Sequence, residues 1–140
     1  MVMKLYEAFY SAIDDITTTL ISADLKKGSS LPPEIIKTSK DVLFWFLAVK
    51  TAEASAKETY VVYNIASITG EDYGDGEALD YNVTIGLNIY TTKEDVKELI
   101  RKINIACENN DWKFDLSGVP SYNPQLNMTI YLFTMKKVIL

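Results

Sequence analysis

The chain has 140 residues, 48% of them hydrophobic and 24% charged, a size and balance suited to a single domain, residues 1–140, with a core of its own. It contains no histidine and one cysteine, Cys107, which excludes Ser-His-Asp, Cys-His and histidine–metal chemistry within the chain and any intrachain disulfide. Its 14 basic and 19 acidic residues give a net charge of -5, which opposes a phosphate backbone, so sequence-specific or tight nucleic-acid binding is not expected.

In chain order, residues 4–26 place Leu5, Phe9, Ala12, Ile13, Ile16, Leu20 and Ala23 at steps of three and four, the stripe of a helix that buries one face. Asp14, Asp15, Thr18 and Thr19 fall largely off that stripe. Lys26 and Lys27 suit the negative end of the helix dipole and Gly28 the left-handed cap, so the helix is expected to stop there, and "SSLPP" forbids its continuation. The apolar run "VLFWFLAV" at 42–49 is too short to cross a bilayer, and its Val, Phe and Trp content predicts a strand buried on both faces. No membrane segment is expected, and the N-terminus lacks the basic and apolar blocks of a signal peptide, which points to folding in a cytoplasm.

Residues 50–58 read as a polar connector and 59–68, "TYVVYNIASI", as a second strand. Residues 69–80 carry three glycines and five acids, the composition of a flexible, solvated hairpin loop. Then Tyr81, Val83, Ile85, Leu87 and Ile89 alternate with Asn82, Thr84, Gly86 and Asn88, predicting a third strand with one buried face. Thr91 with Glu94, or Thr92 with Asp95, has capping-box spacing for a helix whose buried stripe is Val96, Leu99, Ile100, Ile103, Ala106 and Cys107. That helix is expected to end near "ENND", with Asn109 or Asn110 in the left-handed turn. Trp112 and Phe114 open a short extended segment, 117–125 is turn-rich, and 126–135, "LNMTIYLFTM", is the last strand. The expected class is α+β: two helices on a mostly antiparallel sheet of about four to five strands, in the order α-β-β-β-α-(β)-β, with flexible loops near 50–58, 69–80 and 117–125.

Candidate chemistry is sparse. Glu71, Asp72, Asp75, Glu77 and Asp80 could bind calcium, but their spacing lacks the alternating acids and terminal glutamate of an EF-hand loop, so a solvated turn is the better account. Asp14 with Asp15, or Glu71 with Asp80, could form a glycosidase-like pair only if a cleft surrounded them. Cys107 sits on the apolar stripe without a histidine to activate it, as a small buried side chain does. The tyrosines 60, 63, 81, 90, 122 and 131 suit a sheet surface or an interface. No catalytic, cofactor-binding or metal-binding residue is expected.

The run "ETYVVYNIAS", the acidic loop, "YNVTIGLNIYT" passing into "KEDVKELIRKINIAC", and a last "NMTIYLFT" strand together resemble the tail-completion proteins of long-tailed phages and prophages, specifically the tail terminator or head-to-tail joining family. The likeness covers most of the chain and is closest over residues 60–135. It implies a non-enzymatic structural protein of the virion tail, made in the host cytoplasm. Such proteins assemble with themselves into a ring, commonly of about six subunits, that caps the tail tube protein and meets the head connector protein. The expected subunit or partner contacts are Glu71, Asp72, Tyr73, Asp75, Glu77 and Tyr122. A monomeric or dimeric protein-binding or regulatory module is the alternative.

Overall fold

The alternating residues of the third predicted strand build the centre of the molecule. In the computed structural model, which describes residues 3–49, 57–71 and 80–139, Tyr81, Val83, Ile85, Leu87 and Ile89 are all buried on one face of a strand running Asp80–Thr91. Among the described residues the helices are α1 (Leu5–Ser22), α2 (Pro33–Thr38) and α3 (Lys97–Asn109). The strands are β1 (Lys26–Lys27), β2 (Leu43–Phe46), β3 (Thr59–Glu71), β4 (Asp80–Thr91), β5 (Lys113–Leu116), β6 (Ser121–Asn123) and β7 (Met128–Ile139).

The class is α+β, as expected, but with three helices and a seven-stranded sheet among the described residues in place of two helices and four to five strands. The sheet order is β1-β2-β3-β4-β7-β5, with β6 also on β7, beside β5 along the same border. Most pairs are antiparallel, but β1, β2 and β3 run parallel to one another. The additional elements are short: two-residue β1 and three-residue β6 display no period. Helix α2 begins where the sequence predicts only a stop, because Pro33 occupies its first turn, where a missing N–H costs nothing.

Helix α1 stops at Ser22, earlier than expected, and Gly28 is not its cap. Asp24 takes the left-handed conformation (φ 68°), its N–H donates to the Ile21 carbonyl, and the Leu25 N–H donates to the Leu20 carbonyl. Leu20 and Leu25 are buried in the same core, so this is a Schellman motif closed by an apolar contact. Helix α3 ends the same way. Asp111 (φ 63°) is left-handed rather than Asn109 or Asn110, and the Trp112 N–H reaches the Cys107 carbonyl at 2.8 Å. The start of α3 also differs: Thr91 is the last residue of β4, its buried hydroxyl 2.8 Å from that of Thr59. The side chain that receives an N–H of the first turn is Asp95, from Lys97 at 2.8 Å.

Helices α1 and α3 cover one face of the sheet, where Ile16, Leu20, Ile103, Cys107 and the buried face of β4 form the main core. Thr19 belongs to this buried side too, because its hydroxyl is satisfied by the Asp15 carbonyl at 2.9 Å, while Leu5, at the helix start, is exposed. The other face has a smaller core at one end only, where Ile36 of α2 packs with Leu43, Trp45, Tyr60, Val62 and Met128. Beyond it Asn64, Asn82, Thr84, Asn88 and Leu132 are exposed or half-exposed. As expected, β2 is buried on both faces: Leu43 and Trp45 lie on one side and Phe44 on the other. Each such fully buried side chain contributes roughly 1.5–3 kcal/mol.

The last strand extends past 135 to Ile139. The alternating set Leu126, Met128, Ile130 and Leu132 does not form its main buried face; Phe133, Met135 and Ile139 do. Lys137 lies on that inward face and is stabilised by Asp15, 2.6 Å from its ammonium.

Candidate functional site

The residues singled out from the sequence are not brought together. Glu71 and Asp80 are cross-strand partners closing the far end of the β3–β4 ladder. Asp72, Tyr73, Asp75 and Glu77 lie outside the described residues. Tyr122 is 59% exposed on β6, where its hydroxyl donates to the Asn127 side-chain oxygen. It pairs with Thr129, which pairs with Thr91, at the opposite end of β4 from Asp80. The strand between them spans roughly 35 Å at about 3.3 Å per residue. Glu71 and Asp80 on one side and the exposed Tyr122 on the other therefore lie at opposite ends of the sheet.

Asp14 and Asp15 sit in different surroundings. Asp14 is exposed, while Asp15 is held by Lys137 and accepts the Trp112 indole N–H at 2.8 Å. Among the described residues no group of three or more acids or cysteines is placed to hold a metal ion. Burial pushes the Cys107 thiol up to about 12, with Glu108 adding to the effect. At neutral pH the side chain is a thiol, so native protein is expected to resist alkylation and to be labelled at the rate of unfolding. Labelling of the native protein as fast as in denaturant would contradict its burial.

Two concavities have distinct linings. One, of about 420 Å³, includes Lys40, Lys57 and Lys93 together with Asp41 and Glu58. Asp41 is held below the usual carboxylate range chiefly by its hydrogen bond to Lys26. The other, of about 260 Å³, is apolar, lined by Ile13, Phe44, Phe46, Leu47 and Tyr63 with Lys27 at its margin. Burial raises the Tyr63 phenol above its usual range, so it stays neutral there.

Sequence reasoning passed over the neighbourhood of this second concavity. Tyr6 and Tyr10 are 65% and 63% exposed on α1. They are four residues apart and share a side of the helix with Ile13. Phe9, beside them, meets Phe46 of β2 at 6.3 Å, so this side of α1 faces the β2–β3 border. Their four-residue spacing outside the Leu5–Phe9–Ala12 stripe was the available signal. At the other border of the sheet Leu116, Val119, Tyr122 and Leu126 are exposed. Large apolar side chains thus gather along both borders. Compared with protein-family models and with curated proteins, the chain matches none.

Proposed function

We propose that the chain is a structural subunit of a ring that terminates a phage tail tube and joins it to the head connector. The observation that carries this reading is the placement of exposed apolar side chains along both borders of one long sheet, outside either concavity. Two separated contact regions suit a subunit with a neighbour on each side, the head-to-tail arrangement that closes rings. The order of elements behind the family resemblance supports the same reading, and the role requires no catalytic residue, cofactor or metal. In such a ring the acidic segment 71–80 reaches a neighbouring subunit or the tube, and acid facing the lumen lets DNA pass without adhering. The protein then belongs to the virion tail.

Electron microscopy of concentrated protein is expected to show annular particles, and deletion of residues 71–78 to remove them while leaving the fold intact. Annuli that persist after the deletion would place the subunit contacts elsewhere, and their absence from the unaltered protein would count against the ring. A second reading, a small dimeric protein-binding module, is favoured by Tyr6 and Tyr10 standing beside the β2–β3 border.

A further inference from the structure

The β3 strand is much longer than its outer neighbour. β2 pairs with Tyr60–Tyr63 only. The pairing ends as the Leu47 N–H donates to the Tyr63 carbonyl at 2.8 Å, where Leu47 (φ 70°) turns the chain away. Among the described residues no strand lies beside β3 on that side from Asn64 to Glu71. Asn64, Ala66, Ser67 and Thr69 are exposed. Unpaired N–H and C=O groups on such an edge are a template for another strand, and proteins blunt them with lysine, proline or a bulge. This segment, "NIASITGE", has neither lysine nor proline; it has one irregularity, between Ile65 and Ser67.

The edge is also stepped. β2 projects beside the first part of β3, and among the described residues the second part is bare. Rotation by a half turn about an axis perpendicular to the sheet near Ile68 sets the bare part of one copy against the bare part of another, antiparallel, with the two β2 strands well apart from each other. Head-to-tail docking of the other border at the same height would instead press β6 against β2, because both lie at the level of the first part of β3. The half turn also keeps the helix-covered faces on one side. Ile68 packs near Ala8 of α1, and exposed Tyr6 and Tyr10 stand on the border side of that helix. Two α1 helices therefore meet above two β3 strands, and the tyrosines gain a partner.

We infer that the free protein pairs with a second copy of itself through the bare edge of β3, as an isologous dimer sealed by Tyr6 and Tyr10 of both copies. Such a contact closes at two copies and does not propagate around a ring. The dimer goes beyond the ring reading: it is the state from which subunits are released, and it keeps the edge covered until they are used.

The register makes a sharp test. The Thr92 N–H donates to the Glu58 carbonyl while the Tyr63 carbonyl accepts from Leu47 on the outer side, so along β4 the positions that bond to β3 alternate from Thr92 to Thr84 and Asn82, and Ile68, opposite Val83, has its backbone groups turned outward. Ile68 then faces its own mate, and Ser67 of one copy lies opposite Thr69 of the other, where side chains come closest. Single variants Ser67→Cys and Thr69→Cys, each purified and then mixed and oxidised, are expected to cross-link at least about tenfold more in the mixture than either does alone, since a disulfide tolerates little misplacement. Tyr6→Ser/Tyr10→Ser, at exposed positions, is expected to weaken dimerisation by about tenfold or more, read by mass photometry. Cross-linking no greater in the mixture than in either variant alone, or a chain monomeric at every concentration, overturns the inference. Rings that form without the 67–69 link would sink this dimer and leave the ring reading standing. The link without rings at any concentration would do the reverse.

Discussion

Replacing Gly28 by alanine is expected to lower stability by about 3 kcal/mol, more than any exposed substitution, because the new methyl has nowhere to go. A Cβ at this position would stand 2.1 Å from Trp45 Cε2 and 2.2 Å from Cζ2. The obstacle is a rigid ring, and it is fixed from several sides. Trp45 is 1% exposed, packed with Ile36, Leu43 and Tyr60, and set edge-on to Tyr60 with ring centroids 6.4 Å apart. Its indole N–H has no acceptor among the described residues, so the ring is held by packing alone. Either the ring leaves its place or the Gly28–Ser30 turn lifts away, and both open the smaller core. Urea unfolding followed by tryptophan fluorescence is expected to show a midpoint lower by more than about 1 M, for a slope near 2 kcal/mol per M. Trp45→Leu should itself cost stability through lost packing, yet adding it to Gly28→Ala should cost at least about 1 kcal/mol less than the two changes summed, because the second removes what the first strikes. Strict additivity would place the strain elsewhere.

The second large effect is expected at Asp15. Its side chain is three-quarters shielded and that of Lys137 four-fifths. One carboxylate oxygen meets the lysine at 2.6 Å and the other accepts the Trp112 indole N–H at 2.8 Å. Lys137 also donates to the Asn110 carbonyl at 2.8 Å, at the end of α3. Asp15→Ala leaves an inward-facing ammonium and an indole N–H short of an acceptor, a loss of about 2–3 kcal/mol. Asp15→Leu/Lys137→Met is expected to recover most of this, since removing both charges avoids burying either one alone. Hydrogen exchange is expected to quicken at Asn110–Trp112 in Asp15→Ala, where α1, α3 and β7 are joined. An Asp15→Ala variant as stable as the parent chain would show that the cluster contributes nothing net.

These two sites mark where the sequence was legible and where it was not. The five alternating apolar residues of β4 defined that strand without help, because period two over nine residues has one physical meaning. The stripes of α1 and α3 were nearly as clear. Their ends were not: Gly28 offered the obvious left-handed cap, yet aspartates at 24 and 111 took that conformation, each followed by a residue, Leu25 or Trp112, able to close an apolar contact. Gly28 was spared for a different reason, close approach to Trp45, and no local pattern announces a contact seventeen positions away. Lys136 and Lys137 follow the alternating run, and no local pattern shows that β7 continues along β4 through them with Lys137 received by Asp15 on another element. Strands of two and three residues, and a six-residue helix started by a proline, carry too few positions to show any period.

For the contact residues, composition drew attention to the acidic segment and to Tyr122, and the fold sets these at opposite ends of β4. Tyr6 and Tyr10 carried one local signal, their four-residue spacing off the buried stripe, but that spacing alone does not tell a solvated helix flank from a contact surface. The strand edge beside them, unpaired from Asn64 to Glu71 among the described residues, is a feature of sheet order that no short window contains.

The central claim is assembly into a closed ring, and native mass spectrometry over a wide concentration range tests it most directly. The account predicts a small species at low concentration and, as concentration rises, a discrete particle near six copies of the 15.8 kDa chain that grows no further, as closed cyclic symmetry requires. A series that stops at one or two copies at every concentration, or that lengthens without limit, would contradict it.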